Sequence, residues 1–399
     1  MISYGTYPIN NSKIPTFMGR PIAKKVIEST CREFHRANKI GIFPHDSPDP
    51  DAIATSMLIY DELKGLGKEV SIYVNPEAIK GLVFDSSKYK INQGLKHDTL
   101  DLGIVLDCNE EARLPQNLVD AYRKSKRKIG LDHHKETKNS INGLYIDSDA
   151  HSCCGVALRF FEGISKKLKQ ADWKKIGYGM FSDYIKSGLL VRTETPEGVK
   201  FITSSALETD ANKYSKEVLD SVEAHLSKKN KNEIYKSLDV ISNLKPEESA
   251  FRKKLCSKIE ITSNKKIAYI IIDPDDKDWA KLGLSNIRTK TILADLRQKM
   301  INPQDCAMFS EQLKENLKDV KGAVIFYKTS GIKGISYNLS ATSKDGFAEL
   351  LIEDIKDTVK NPNMTGGGHL DRVGGRVFSC EKKDVDNFIT KVLTTAESL

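Results

Sequence analysis

Apolar and polar positions along this chain of 399 residues alternate in blocks that predict short buried strands separated by helices. Pro21 to Ala37 places Ile22, Val26, Ile27 and Phe34 at helical spacing. Ile40-Gly41-Ile42-Phe43 reads as an apolar strand that ends at Pro44-His45 and empties into Asp46-Ser47-Pro48-Asp49-Pro50-Asp51, a loop of prolines and acids. From about Ala52 to Leu66, Ile53, Met57, Leu58 and Leu63 share one helix face, and Gly65 to Gly67 stops it. Val70 to Val74 is the next strand.

The alternation then repeats. Leu102 to Leu106 is a buried strand running into Asp107-Cys108-Asn109, and Leu118 to Arg123 is helical. Lys128 to Leu131 is a strand that delivers Asp132-His133-His134, and Leu144 to Ile146 leads to Asp147. Ser152-Cys153-Cys154-Gly155 opens a helix over Val156 to Phe161, and a helix over Trp173 to Met180 runs into Phe181-Ser182-Asp183. Near-continuous apolar strands separated by helices predict an α/β fold with a parallel sheet covered on both faces.

From about 208 to 260 the chain turns helical and lysine-rich. Beyond it, strands are expected at Ile267 to Ile272, Ala323 to Tyr327, Gly334 to Tyr337 and Val373 to Phe378, with helices near Thr289 to Lys299, Phe347 to Val359 and Val385 to Thr394. Thr365-Gly366-Gly367-Gly368-His369, the most glycine-dense point, reads as a loop.

Composition changes this picture little. A chain of this length favours two domains, and 39% hydrophobic with 29% charged residues is ordinary for a globular protein. No apolar run reaches the roughly 20 residues of a spanning helix, and the N-terminus lacks the pattern of a secretory signal. A cytoplasmic protein without membrane contact is expected. Seven cysteines without a CxxC pair point to reduced thiols packed as small hydrophobes. The net charge of +8 permits a polyanionic substrate, but the lysine runs at 123–128 and 227–231 read first as solvated faces.

The candidate chemistry lies in His45, Asp49, Asp51, Asp107, Asp132, His133, His134 and Asp183, each at or near the end of an apolar segment. In a parallel sheet such ends share one edge. Taken singly, each is as readily a surface acid or a satisfied core histidine as it is a metal ligand. As a set they imply cations, because two carboxylates about 4 Å apart repel by roughly 4 kcal/mol at an effective dielectric near 20. Oxygen-rich ligation with imidazoles suits Mn2+ or Mg2+.

In order and spacing, His45-x3-Asp49-x-Asp51-Ala52, Asp107, Asp132-His133-His134 and Asp183 resemble the four motifs of the DHH phosphoesterases. Gly366-Gly367-Gly368-His369 resembles the glycine-rich motif of that family's accessory domain, so the likeness spans roughly residues 38 to 380. The layout is similar to the branch of nanoRNases, phosphoadenosine-phosphate phosphatases and cyclic-dinucleotide phosphodiesterases. The resemblance implies an N-terminal extension with a helix (1–37), a parallel-sheet DHH catalytic domain (38–207), a helical connector (208–262) and a smaller α/β substrate-binding domain of DHHA1 type (263–399). It places the active site in the cleft between the two domains.

The resemblance also implies roles. His45 and Asp49 would hold one divalent ion, Asp51, His133 and Asp183 a second, and Asp107 both; Mn2+ is the first choice and Mg2+ the second. Asp132 would orient an imidazole, and His134 would face the phosphate or protonate the leaving group. Gly366, Gly367, Gly368 and His369 would hold a substrate phosphate. The implied reaction cleaves short oligonucleotides or linear and cyclic dinucleotides to mononucleotides through a hydroxide held between the ions. A phosphomonoesterase acting on phosphoadenosine phosphate, or a polyphosphatase, is the alternative. A single-strand exonuclease or a silent nucleotide sensor fits less well. The implied partner is a short nucleic acid or nucleotide, and a homodimer is compatible. Three positions depart from the pattern: Ser340 stands where an arginine is usual, Tyr184 where a threonine is common, and Arg372-Val373 where small residues follow the motif. Arg372 is the candidate to supply the missing charge.

Overall fold

The computed structural model describes residues 22–79, 82, 86–92, 99–136, 140–196, 198–208, 213–242, 246–272 and, with short gaps, 292–343 and 364–398. The expected helix over Phe347 to Val359 and the first 21 residues lie outside these. The chain divides into two units, Met1–Ile241 and Ser242–Leu399, each with its own six-stranded sheet.

In the first unit, α1 (Lys24–Arg36) buries Ile27, Cys31 and Phe34 on one face. It is followed by β1 (Lys39–Pro44), α2 (Pro50–Gly65), β2 (Glu69–Tyr73), β3 (Ile91–Asn92), β4 (Leu102–Leu106), α3 (Val119–Arg123), β5 (Arg127–Asp132) and β6 (Leu144–Ile146). The strands lie in the order β3-β2-β1-β4-β5-β6, and every pair is parallel. On one face Phe43, Tyr73 and Val105 pack with Leu118, Val119 and Tyr122 from around α3. Their alternate neighbours Ile42, Ile72 and Ile104 are equally buried, and α2 packs along the same strands.

This order positions the site. The chain winds outward from β1 to β3, then returns to the far side of β1 for β4. The connections leaving β1 and β4 therefore diverge, opening a crevice at the carboxyl edge, where doubly wound sheets build their sites. His45 directly follows β1, and Asp107 directly follows β4.

Helices α4 (Cys153–Gly163) and α5 (Gln170–Lys186) pack against α2. A hairpin of β7 (Leu190–Thr195) and β8 (Gly198–Thr203), which the sequence reading did not anticipate, leads to α6 (Lys213–His225) and α7 (Lys228–Ser242).

The second unit begins with α8 (Pro246–Cys256), β9 (Glu260–Ile261) and β10 (Ile267–Ile272). A short helix, Glu311–Leu317, precedes β11 (Gly322–Gly331), β12 (Gly334–Ser343), β13 (Met364–His369), β14 (Arg372–Phe378) and the closing helix Lys382–Ser398. The order is β13-β14-β12-β11-β10-β9. Only β10 and β11 pair in parallel. Leu255, Ile270, Leu296, Met300, Phe309 and Ile325 meet in its core.

Three expectations are corrected. The glycine-rich run is a strand, because Gly366 to Gly368 pair in register with Gly375 to Val373 of β14. The helix expected from Ala52 starts at Pro50, so Asp51 lies in its first turn. Asp183 is helical, since α5 continues six residues beyond Met180. No helix among the described residues is long and apolar enough to cross a membrane.

Candidate metal centre

Asp49 caps α2. Its backbone is extended and its Oδ1 accepts from the amides of Asp51 (3.0 Å) and Ala52 (3.1 Å), with Pro50 supplying the fixed φ of a first helical residue. With Oδ1 committed to the cap, Oδ2 is turned to the crevice, 4.0 Å from His45 Nε2. Asp51 is fully buried. Its two oxygens accept from the Cys153 amide at 2.6 Å and the Cys154 amide at 2.9 Å, the first N–H groups of α4. These groups have no partner within their own helix and carry its positive dipole end, so a carboxylate suits them. Ser152 Oγ caps the same terminus by accepting from Gly155.

Asp107 closes β4 at φ 56, a left-handed conformation unusual for a residue with a Cβ. Such strain persists where surrounding structure imposes it, commonly at functional sites. The side chain is 1% exposed. Oδ2 lies 3.6 Å from His45 Nε2, and Oδ1 lies 3.1 Å from His133 Nε2. Asp132, His133 and His134 leave the end of β5. His133 Nδ1 is 3.2 Å from the Ala150 carbonyl, which can only accept. The Nδ1 therefore carries the proton and Nε2 is left as the basic nitrogen, as in metal-ligating imidazoles. That Nε2 faces Asp107 at 3.1 Å, Asp183 at 3.5 Å and Asp51 at 3.9 Å. His134 Nδ1 donates to Asp132 Oδ1 over 2.8 Å. Asn109 ties the turn after β5 by donating to the carbonyls of His134 and Lys135.

Ligand atoms of His45, Asp49 and Asp107 lie within 4.8 Å of one another, as do those of Asp51, His133 and Asp183, and those of Asp107, His133 and His134. Asp107 and His133 each belong to two of these groups, so the clusters adjoin. Every acid and imidazole singled out in the first unit thus comes to one place, with Asp132 behind His134. In the second unit, His369 and Arg372 stand opposite each other across β13 and β14. The side chains of Gly366, Gly367, Gly368, His369 and Arg372 lie outside the described set.

Residues 39–180 match the family model of the DHH family, N-terminal domain. The segment is a DHH domain. Members of the family that this segment matches are metal-dependent phosphoesterases. Among solved structures, an exopolyphosphatase-related protein from Bacteroides fragilis shares the fold over 93% of this chain and 96% of its own, at 18% identity and a TM-score of 0.59. A RecJ from Thermus thermophilus, crystallised with Mn2+, aligns over 96% of this chain and 56% of its own at 12% identity; its TM-score of 0.47 is too low to carry an argument. Among curated proteins no sequence matches.

The electrostatics of the DHH domain fit divalent cations. Burial and the facing carboxylates of Asp183 and Asp107 push Asp51 well above the usual carboxylate range. Asp107 is held well below it: burial opposes ionisation, but His133 and His45 outweigh it. Burial likewise pulls His133 down, yet Asp107, Asp183 and Asp51 hold it up to about 10. Asp107 Oδ1 and Asp132 Oδ2 are buried with no hydrogen-bond donor aligned on them. Buried carboxylate oxygens in that position, with imidazole nitrogens beside them, are the donor set of a hard cation site.

Sequence reasoning missed the parts that tertiary packing supplies. The α4 amides hold Asp51. Gly179 lets α5 cross close to α2 and α4: a Cβ there would sit 2.4 Å from Cys154 Sγ and 3.1 Å from Asp51 Oδ1. Lys186 Nζ reaches Asp49 Oδ2 at 2.8 Å. The i, i+3 spacing of Asp183 and Lys186 was its one signal, and it reads as an ordinary surface pair. Tyr184, the departure in the fourth motif, donates its hydroxyl to the Ser215 carbonyl and serves packing against α6.

Proposed function

We propose that this DHH-family phosphoesterase is a two-metal phosphodiesterase that cleaves short oligonucleotides or linear and cyclic dinucleotides to mononucleotides, with Mn2+ preferred and Mg2+ second. The observation that carries the metal part is Asp107, whose two oxygens face His45 and His133 in adjoining clusters. His45, Asp49 and Asp107 would hold one ion, and Asp51, His133 and Asp183, with Asp107, the other. Bound there, divalent ions supply Lewis acidity toward phosphoryl oxygens and lower the pKa of water.

The chain's own residues do the rest. The Ala150 carbonyl accepts from His133 Nδ1 and so aims Nε2 at the acids, making Nε2 the nitrogen that is freed when the ring gives up its proton. Asp132 accepts a hydrogen bond from His134 Nδ1 and so turns Nε2 outward, where the doubly protonated ring would give its Nε2 proton to the leaving oxygen and return to the neutral form. Support for a small substrate comes from the glycine-rich strand, whose backbone admits a phosphate closely because no Cβ intervenes. Gly366, Gly367, Gly368 and His369 are assigned to that contact, and Arg372, beside His369 in register, to a terminal phosphate. The described free thiols support a reducing, cytoplasmic setting.

The test is a panel with Mn2+: a 5′-labelled dinucleotide, a cyclic dinucleotide, phosphoadenosine phosphate and polyphosphate, compared by kcat/KM, with Asp107→Ala as control. Highest efficiency on either dinucleotide, lost in Asp107→Ala, is the expected result. Preference for polyphosphate would move the assignment to a polyphosphatase, the second reading, which matches the description of the Bacteroides protein of the same fold.

A further inference from the structure

Lys186, at the end of α5, reaches two acids of the metal centre. Its Nζ lies 2.8 Å from Asp49 Oδ2 and 2.5 Å from Asp183 Oδ1, one acid from each of two clusters. The two contacts differ. Asp183 turns its other oxygen, Oδ2, to His133 at 3.5 Å, so its carboxylate faces cluster and lysine at once. Asp49 has Oδ1 committed to the cap of α2, so Oδ2 is approached by both His45 and Lys186. The Lys186 side chain is 38% exposed, whereas Asp51, Asp107 and His133 are 3% exposed or less. The buried ligands form the floor, and the lysine stands at the rim between the two clusters, the side from which a substrate must arrive.

We propose that Lys186 is a catalytic residue of this DHH domain, a tethered third cation that contacts a non-bridging oxygen of the scissile phosphoryl group. The assignment rests on the metal-dependent phosphodiesterase reading. Phosphoryl transfer spreads negative charge over the non-bridging oxygens, and positively charged side chains aimed at them are worth most in the transition state. A compact ammonium on a flexible stem, held by acids from both clusters, can turn to such an oxygen without leaving the site. A purely structural ion pair makes the opposite prediction for metal binding. If Lys186 only held Asp49 and Asp183 in place, losing it would weaken the ions. If it acts as a neighbouring cation, losing it removes repulsion.

The experiment compares wild type, Lys186→Met and Lys186→Arg in the full chain. Mn2+ binding is titrated without substrate by calorimetry, turnover is measured on a dinucleotide and on bis(p-nitrophenyl) phosphate, and thermal melting checks folding. Expected is Mn2+ binding in Lys186→Met at least as tight as wild type with unchanged stoichiometry. Its kcat should fall 10- to 1,000-fold, with a tenth or more of wild-type activity regained in Lys186→Arg. Mn2+ affinity falling in step with activity, or unchanged kcat in Lys186→Met, overturns the assignment. Wild type that binds no Mn2+, or cleaves neither substrate, overturns the underlying reading instead.

Discussion

Asp51 accepts a hydrogen bond from the amide of Cys153 over 2.6 Å, so a candidate metal ligand is also the anchor of a helix N-terminus. One side chain thus has two consequences. Asp51→Ala removes a ligand, and it leaves the amides of Cys153 and Cys154 without their acceptor in a fully buried place. Unsatisfied buried N–H groups cost about 1–3 kcal/mol each. Relief of repulsion from Asp183 and Asp107 offsets part of that. The expected net loss is about 1–3 kcal/mol in urea unfolding with EDTA present, together with loss of one Mn2+ per chain. Unchanged stability in EDTA would show that the anchoring is negligible.

Gly179 makes a separate prediction, because it allows α5 to bring Asp183 to the cluster. A methyl group at this position meets Cys154 Sγ at 2.4 Å and Ala54 Cβ at 3.1 Å, so α5 must shift outward. Overpacking of this kind costs about 1–3 kcal/mol. Gly179→Ala is expected to lower stability by that order and to weaken Mn2+ binding, although the residue touches no ion. Full metal affinity in Gly179→Ala would mean that α5 is not the element fixing Asp183.

The metal ligands were legible because the physics that places them is periodic. Apolar runs ending at Phe43, Leu106 and Leu131 announce buried parallel strands, and a parallel sheet carries the residues after each strand to one edge. His45, Asp107 and His133 could therefore be brought together on paper. The glycines at 366–368 were misread as a loop, since glycine signals a turn unless its partner strand is known; here Gly374 and Gly375 face Gly367 and Gly366 across the ladder. Lys186, Gly179 and the α4 amides escaped because their role depends on how α5 and α4 cross α2, which no local pattern encodes. In the basic run at 123–128, Arg123, Lys126 and Arg127 pair with Glu111, Asp101 and Glu33.

Glu162, on α4 away from the cluster, sets a pH dependence of stability. Burial raises its carboxyl to about 7, with Arg159 pulling the other way. The folded-state pKa lies above the unfolded value, so ionisation disfavours folding. The stability is fully present below about pH 4.5 and declines until about pH 7. Glu162→Gln removes that decline. Chemical unfolding of the two proteins should agree near pH 4.5 and differ at about pH 8 by roughly 1–3 kcal/mol in favour of the variant. Equal stabilities at the higher pH would place Glu162 in a better solvated setting than its burial implies.

His133 yields the last prediction, on metal binding itself. Burial lowers its pKa, but Asp107, Asp183 and Asp51 hold it up to about 10, so before metal binds the ring is an imidazolium across the neutral range. A nitrogen can ligate only when deprotonated, so binding must release that proton. One proton released makes the apparent affinity rise about tenfold per pH unit below the raised pKa. Calorimetry with Mn2+ at about pH 6.5 and about pH 7.5, in buffers of different ionisation enthalpy, should show about one proton released per chain and an affinity higher at the upper pH. His133→Asn, lacking that proton, should bind more weakly and release about one proton fewer than the wild type. An observed enthalpy that does not change with buffer in the wild type would remove His133 from the metal centre.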